Sequence, residues 1–255
     1  MTTVGDDTHL SRAMLSFVAT ALFPCHTVPV TAAGARARVR AELTREIVEA
    51  ARRHLATDGA AGLSLRAVAR ELGMASSAVY RYFPSRDDLL TALIVEAYDA
   101  IGVAAEQAES AVPREALRDR WRATFQATRE WALAHAHEYA LVYGSPVPGY
   151  AAPEATIGPA SRVGALLCHV VADGVAAGVV DPEPDGPDAG EALTPGIAER
   201  FGVPPALAPR VVAAWSSLYG AISFEVFGQT HNVVADHEGY FDATADRLAD
   251  LIPLP

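Results

Sequence analysis

The chain has 255 residues, of which 51% are hydrophobic, and its formal net charge is -11. A chain of this length can bury a substantial core, and its two cysteines, Cys25 and Cys168, match no zinc, haem or redox spacing, so no disulfide framework, bound metal or cofactor is expected. No apolar run approaches the roughly 18 residues of a membrane-spanning helix, which together with the cysteine content predicts a cytoplasmic protein without a membrane partner.

Apolar residues at helical spacing begin after an N-terminal segment, residues 1–35, that we expect to be a flexible arm. The first helical stripe has i+4 spacing, and Gly59 and Gly62 break the chain after it. Its members are Val39, Leu43, Ile47, Ala51 and Leu55.

Two short helices and a tight turn are predicted next. Ser64 is a suitable N-cap for LRAVAREL, Gly73 is a suitable C-cap, and MASSAVYRYF runs on to Pro84. Two helices that meet at a turn require a small residue at their crossing, here Ala69, and a residue that tolerates positive φ between them, here Gly73. This pattern is typical of a helix-turn-helix.

A longer helix follows, opened by a capping box of Ser85 and Asp88, and we expect it to join two domains. Further helices are predicted after Pro113, at 161–177, at 209–229 and at 236–252, with a loop at GSPVPGYAAP and a mobile, acidic surface loop at DPEPDGPDAG. Because strand-like alternation is scarce, the fold class is predicted to be all-α.

Charge is distributed unevenly along the chain. Residues 36–86 carry ten arginines against five acidic residues, whereas residues 87–255 carry nine arginines against 24 acidic residues. A basic segment joined to an acidic body suits a protein that presents one face to DNA phosphates. The helix-turn-helix lies within the basic segment, and the side chains expected to face outward from its second helix are Ser76, Ser77, Tyr80, Arg81 and Tyr82.

The run LSLRAVARELGMASSAVYRYFPSRDDLLTALI resembles the signature of the tetracycline-repressor (TetR) family, and the likeness extends from Arg36 to Gly102. HAHEYALVYGSPVPGY and AWSSLYGAISFEVFGQ resemble the sensor domain of one TetR subgroup, named for a Trp-His-Gly motif. The chain departs from these patterns at Ala75, where the family often has a capping serine, at Ala136, where the subgroup often has proline, and at Tyr219, where the motif has histidine.

The resemblance implies a three-helix DNA-binding domain at 36–84 and a ligand-binding and dimerisation domain at 85–255. It implies a homodimer that binds double-stranded operator DNA as a repressor, and that releases the DNA when a small-molecule effector binds. Carried over by position, the DNA-binding residues are Arg38, Arg40, Ser64, Arg66, Ser76, Ser77, Tyr80, Arg81, Tyr82 and Arg86.

Each of these assignments has a structural alternative. The serines are either DNA contacts or helix caps, with Ser76 taking over the cap if Ala75 cannot serve. Tyr80 is either a DNA contact or a packed ring, and the arginines either hold phosphates or form a solvated face.

Aromatic and polar residues of the second domain are candidates to line an effector cavity. His169 and Asp173 are spaced i,i+4, so they either pair with each other or bind a polar ligand. The candidate ligand-binding residues are Trp121, Phe125, Tyr139, Tyr143, His169, Asp173, Trp215 and Tyr219. A dimer interface is predicted from apolar stripes on the last two helices, formed by Val211, Trp215, Leu218, Ile222, Phe241, Leu248 and Leu251.

Two other classes of protein fit the sequence less well. An enzyme is disfavoured, because the chain lacks a nucleophile elbow, a dinucleotide fingerprint, a P-loop and a zincin motif. An architectural DNA-binding protein without an effector fits the basic segment but leaves about 150 residues of sensor-like helices without a role. The sequence identifies neither the effector, nor the operator, nor the regulated genes.

Overall fold

The computed structural model describes residues 32–186 and 189–255. The predicted arm lies outside the described residues except for 32–35, which belong to the first helix. This part of the chain contains no β-strand, which confirms the all-α prediction. The helices are α1 (Ala32–Gly62), α2 (Leu65–Glu71), α3 (Ser76–Val79), α4 (Arg86–Ser110), α5 (Leu117–Ala134), α6 (Ala136–Tyr143), α7 (Ile157–Ala176), α8 (Ile197–Phe201), α9 (Ala208–Val226) and α10 (His237–Leu251), with short 3-10 helices at Glu154–Thr156 and Gly190–Ala192.

Residues 42–255 form one compact unit, and one of its two hydrophobic cores lies among α1 to α4. Ile47 on α1, Val68 on α2, Val79 on α3 and Leu89 on α4 are fully buried in it. The α1 stripe packs over a shorter length than predicted, because Val39 is 55% exposed and Leu43 is only partly buried. The predicted break is confirmed at Gly59, where φ is 68° inside the helical run.

The second core is built from α4, α5, α7, α9 and α10. The predicted capping box at the start of α4 is confirmed: the Ser85 hydroxyl accepts from the Asp88 amide at 3.1 Å, and the Ser85 amide donates to Oδ2 of Asp88 at 2.9 Å. Helix α4 contributes residues to both cores.

Several helix boundaries differ from the predicted ones. The pattern after Pro113 forms two helices rather than one, because His135 has non-helical backbone angles (φ -126°, ψ 46°). Helix α7 begins four residues before the predicted Ser161. Helix α8 was not predicted; it has only five residues and lies between Gly196 and Gly202, both of which have positive φ. The predicted acidic loop is only partly described, because residues 187–188 lie outside the described residues.

One described segment, Glu154–Ala176, is long and apolar enough to cross a membrane by length and composition alone. Seven residues of α7, among them Val163, Leu167 and Val171, are buried against the other helices. A helix that packs in the core of a globular protein can have the same composition.

Candidate DNA-binding and effector sites

The helix-turn-helix consists of α2, a turn at Leu72–Ala75 and α3. The turn is closed by two backbone bonds, from the Gly73 amide to the Arg70 carbonyl (3.2 Å) and from the Met74 amide to the Ala69 carbonyl (2.8 Å). Gly73 has φ 64° and Ala69 is 1% exposed, so both residues occupy the positions that the sequence analysis assigned to them.

Helix α3 buries Val79 and turns a polar face outward. Ser77, Tyr80 and Arg81 are exposed, and Tyr80 retains 41% of its surface, so packing does not account for this residue. Tyr82 is half-buried and its ring packs against the first core. The N-cap of α3 remains Ala75, so the expected shift of the cap to Ser76 is wrong; Ser76 is the first helical residue and is half-buried.

The predicted phosphate-binding residues fall into three groups. Ser64 is the N-cap of α2 by position, but its side chain makes no capping bond, and Arg66 is exposed in the first turn of the same helix. Arg38 and Arg40 are exposed on α1. Arg86 is half-buried and donates to backbone carbonyls of α1.

Arg86 links the start of α4 to the end of α1. Its guanidinium donates to the carbonyls of Ala60 (2.7 Å), Leu63 (3.2 Å) and Ala61 (3.4 Å). These carbonyls follow the kink at Gly59 and lie at a helix end, where backbone acceptors lack helical partners. We call this set of bonds the Arg86 clamp.

A second set of charges links α1, α4 and α6. Arg52 on α1 contacts Glu138 on α6 and Glu96 on α4, each at 2.9 Å, and also Glu49 on its own helix. Glu138 keeps only 13% of its side-chain surface, whereas burial raises the pKa of Glu96 against the opposing effect of Arg52. Helix α1 is thereby tied to α4 and α6.

A cavity of about 700 Å³ lies among α4, α6, α7, α8, α9 and the loop after α6. It falls within the usual volume range of small-molecule sites. The residues that line it are Ile94, Tyr98, Leu141, Val142, Gly144, Ser145, Pro146, Val147, Tyr150, Ala152, Thr156, Ile157, Ala160, Ser161, Gly164, Cys168, Ile197, Phe201, Val211, Val212 and Trp215.

The wall of the cavity is uncharged. Its polar groups are hydroxyls, one thiol and one indole, and several already have partners: Tyr150 bonds Thr91 at 2.9 Å, and Ser161 donates to the carbonyls of Ile157 and Gly158. Burial raises the pKa of the Cys168 thiol to about 11, so this group is neutral at physiological pH. The cavity therefore suits contacts with apolar and neutral polar groups.

Of the eight predicted ligand-binding residues, Trp215 alone lines this cavity. Trp121 and Phe125 stack at 5.0 Å deep in the second core, where the Trp121 indole donates to the Ala245 carbonyl at 3.1 Å. His169 is exposed and does not pair with Asp173, which instead contacts Arg114 (2.6 Å) and Arg120 (2.8 Å).

The three predicted tyrosines form an aromatic cluster behind the cavity wall. Tyr143 stacks on Tyr219 at 4.0 Å and contacts Tyr139 at 5.0 Å and the cavity residue Tyr98 at 5.8 Å. Burial raises the pKa of Tyr139 to about 12 and raises those of Tyr143 and Tyr219 further. Tyr219 also meets Trp215 edge-on at 5.9 Å, so the cluster touches the cavity wall through Tyr98 and Trp215.

Sequence reasoning missed Tyr98, Tyr150, Cys168 and Phe201 as cavity residues. The loop GSPVPGYAAP carried a usable signal, because binding residues are disproportionately found on loops that a rigid scaffold positions. Tyr98 gave no such signal, because it belongs to an ordinary helical pattern on α4.

Among the residues that the structure describes, no group of three or more potential metal ligands lies together.

Comparison with known proteins identifies the chain. Residues 47–93 match the family model described as bacterial regulatory proteins of the tetR family, and residues 121–248 match the model of the tetracyclin repressor-like C-terminal domain. An HTH-type transcriptional regulator of Mycobacterium tuberculosis is 41% identical over 238 residues, which cover 89% of this chain and 98% of the relative. The chain belongs to the TetR family of transcriptional regulators.

Solved structures agree with this assignment. The crystal structure of the regulatory protein SCO4313 shares 33% identity with this chain at a TM-score of 0.71, over 84% of this chain and 98% of that one. A Rhodococcus sp. RHA1 protein of unknown function shares 25% identity at a TM-score of 0.64, over 83% and 96% of the two chains. This TetR-family chain therefore combines a DNA-binding domain with a C-terminal regulatory domain, and the family and the relative from M. tuberculosis are both named as regulators rather than as enzymes.

Proposed function

We propose that this TetR-family regulator is a homodimeric, cytoplasmic repressor whose affinity for operator DNA falls when a small-molecule effector occupies the 700 Å³ cavity. The DNA-binding domain comprises residues 36–84, and residues 85–255 bind the effector and form the dimer. The residues proposed to contact DNA are those on the outer face of α2 and α3, with Arg66, Ser77, Tyr80 and Arg81 the most exposed.

One observation carries the proposal of effector control: the cavity and the core of the DNA-binding domain share residues. Ile94 and Leu141 line the cavity and are also buried in the first core, together with Val68 of α2 and Val79 of α3. Because well-packed cores have few voids, a ligand that displaces these two side chains also changes the packing around α4. Movement of α4 reaches α1 through the Arg86 clamp and through Arg52.

The dimer interface requires a correction to the predicted stripe. Val211, Leu218, Ile222 and Phe241 are buried within the protomer, so they are not available to a partner. Large apolar side chains on α9 and α10 are nevertheless exposed, namely Phe224 (58%), Tyr240 (51%) and Leu251 (39%). We propose that this outer face of α9 and α10 packs against the same face of a second copy, as in a two-fold symmetric interface.

The deciding experiment is a fluorescence-anisotropy titration of the purified protein against the DNA upstream of its own gene and against a scrambled duplex, repeated across salt concentrations. Preferential binding to the upstream DNA with a steep salt slope is expected. Arg66→Ala should lower the slope by about two in a dimer, one for each subunit. Arg200→Ala, which removes an exposed arginine of α8, should leave the slope unchanged. Equal weak binding to both duplexes, or no binding at low salt, would contradict the proposal.

The dimer is tested separately by sedimentation velocity. Phe224→Glu places a charge on the proposed interface and should give a monomer at micromolar concentration. Val179→Glu is the matched control, because Val179 is 53% exposed and lies outside α9 and α10. A wild-type protein that sediments as a monomer, or a Phe224→Glu protein that remains dimeric, would exclude this interface.

A further inference from the structure

We propose that the effector is an uncharged, largely apolar molecule that carries a hydrogen-bond acceptor, and that this acceptor pairs with the indole N–H of Trp215. The inference rests on the proposed function, because it names the chemical class of ligand for the same cavity.

The absence of charge in the ligand follows from the lining residues. None of the cavity residues is an aspartate, glutamate, histidine, lysine or arginine. Two of the lining groups that could ionise, Tyr98 and Cys168, have their pKa raised by burial, so neither supplies a charge at neutral pH. An ionised ligand that leaves water for this wall loses its hydration and gains no opposite charge, which strongly disfavours it.

The acceptor follows from a donor that lacks a partner. Among the described residues, three buried side-chain polar atoms make no hydrogen bond: Nε2 of His54, Oδ2 of Asp173 and Nε1 of Trp215. The first two have ion-pair partners, Glu71 at 2.9 Å and Arg120 at 2.8 Å. Only the Trp215 donor is left without either kind of partner in the described part of the chain.

The fully buried indole of Trp121 shows what is missing. Nε1 of Trp121 donates to the Ala245 carbonyl at 3.1 Å, as a buried tryptophan normally does. Trp215 lines the cavity instead, and a buried donor without a partner costs free energy that a ligand acceptor would recover.

The indole edge that carries this donor lies against helix α7. Gly164 on α7 lines the same cavity, and a Cβ atom added there would lie 3.6 Å from Nε1 of Trp215. The N–H edge of the indole therefore faces a point on α7 that carries no side chain. Because Nε1 is itself buried, the proposed contact requires the indole ring to turn so that this edge meets the acceptor in the cavity.

The test uses four probes that share a phenyl ring and a four-carbon chain: butylbenzene, butyrophenone, 4-phenylbutanoate and 4-phenylbutylammonium. Their Kd values are measured by displacement of the uncharged dye Nile red from the full-length protein. Butyrophenone should bind at least about tenfold more tightly than either charged probe, because burial of an unpaired charge is far costlier than burial of a ketone. A charged probe that binds as tightly as the ketone, or failure of both uncharged probes to displace the dye, would overturn the ligand class.

The role of Trp215 is read from the ratio of the butyrophenone and butylbenzene affinities, which cancels the packing that both probes share. Trp215→Phe should lower the ketone-to-hydrocarbon ratio by about three- to tenfold, the usual worth of one hydrogen bond. Trp131→Phe is the matched control, because Trp131 does not line the cavity, and it should leave the ratio within twofold. An unchanged ratio in Trp215→Phe would exclude the acceptor contact.

A second measurement does not depend on the variants' folding. In the wild-type protein labelled with ¹⁵N-tryptophan, butyrophenone should move one indole N–H resonance downfield, whereas butylbenzene should not. Equal shifts with both probes would contradict the hydrogen bond. Operator binding is measured on the same preparation before any probe is added. Intact operator binding with a failed probe test overturns the ligand class alone, whereas absence of operator binding overturns the regulator itself.

Discussion

The hydroxyl of Tyr80 offers a sharp test of the proposed DNA-binding face. Tyr80 follows the last residue of α3 and is 41% exposed, while its neighbours Val79 and Phe83 supply the burial at this point of the chain. Tyr80→Phe removes one oxygen and keeps the ring, so the free energy of unfolding should change little. If the hydroxyl donates to a DNA phosphate, each subunit loses one hydrogen bond worth about 1 kcal/mol.

A dimer on its operator contains two copies of this contact, so the loss is about 2 kcal/mol, or roughly a 30-fold increase in Kd. The salt slope should stay the same, because no charge is removed. The assay is fluorescence anisotropy at three salt concentrations. Thr194→Val is the control, because it removes an exposed hydroxyl that lies before α8, outside the DNA-binding face and outside α9 and α10. An increase below threefold, or an equal increase in Thr194→Val, would refute the assignment of Tyr80 to the DNA contact.

Three further predictions concern the fold that presents these sites. Gly73→Ala should lower the melting temperature by about 2–4 °C, because the left-handed backbone costs an alanine about 1 kcal/mol. The added Cβ meets nothing within 4 Å, so no steric clash adds to this cost. An unchanged or higher melting temperature would contradict the prediction. Arg120→Met should lower the free energy of unfolding in urea by about 3 kcal/mol, because the Glu109 carboxylate loses its partner. Adding Glu109→Gln should recover part of this loss, and a double variant no more stable than Arg120→Met would contradict the explanation. The hydrogen bond from Arg162 lowers the pKa of Glu106, so the stability that this ion pair contributes is complete above the usual glutamate pKa and is lost as the pH falls through the lowered value. The urea midpoints at pH 7 and pH 3.5 should therefore differ less in Arg162→Gln than in the wild type. An equal difference would show that the pair does not contribute to stability.

The DNA-binding helices could be predicted in detail because their signals are local. The glycine at 73 and the capping box of Ser85 and Asp88 act within three or four residues of the backbone they shape, so no knowledge of distant packing is needed. The exposed polar face of α3 follows from the same helical spacing once Val79 is placed inside.

The cavity could not be predicted in the same way. Helical spacing shows that Trp121, Phe125 and Trp215 face inward, but it does not show whether that inward face meets another helix or an empty space. The first two meet α10 and its neighbours, and only the third meets the cavity.

The same limit explains two other errors. The i,i+4 spacing of His169 and Asp173 favours a pair within α7, but Arg114 and Arg120 come from elsewhere in the chain and take the carboxylate. The apolar stripe of α9 was assigned to a partner chain, whereas its largest members pack within the protomer and the exposed Phe224 lies on another side of the helix.

The Arg86 clamp has a mechanical consequence. Helix α4 has 25 residues and is therefore about 37 Å long, with Ile94 and Tyr98 roughly a third to a half of the way along it from the clamped end. A rigid helix that is displaced at such a point rotates, and a segment fixed to its end rotates with it. Three carbonyls at the end of α1 are held by one guanidinium at the start of α4. We therefore expect helices α1 to α3 to rotate as a rigid unit and not to unfold. A sub-ångström push at the cavity would then alter the separation of the two recognition helices in a dimer while each stays fully folded.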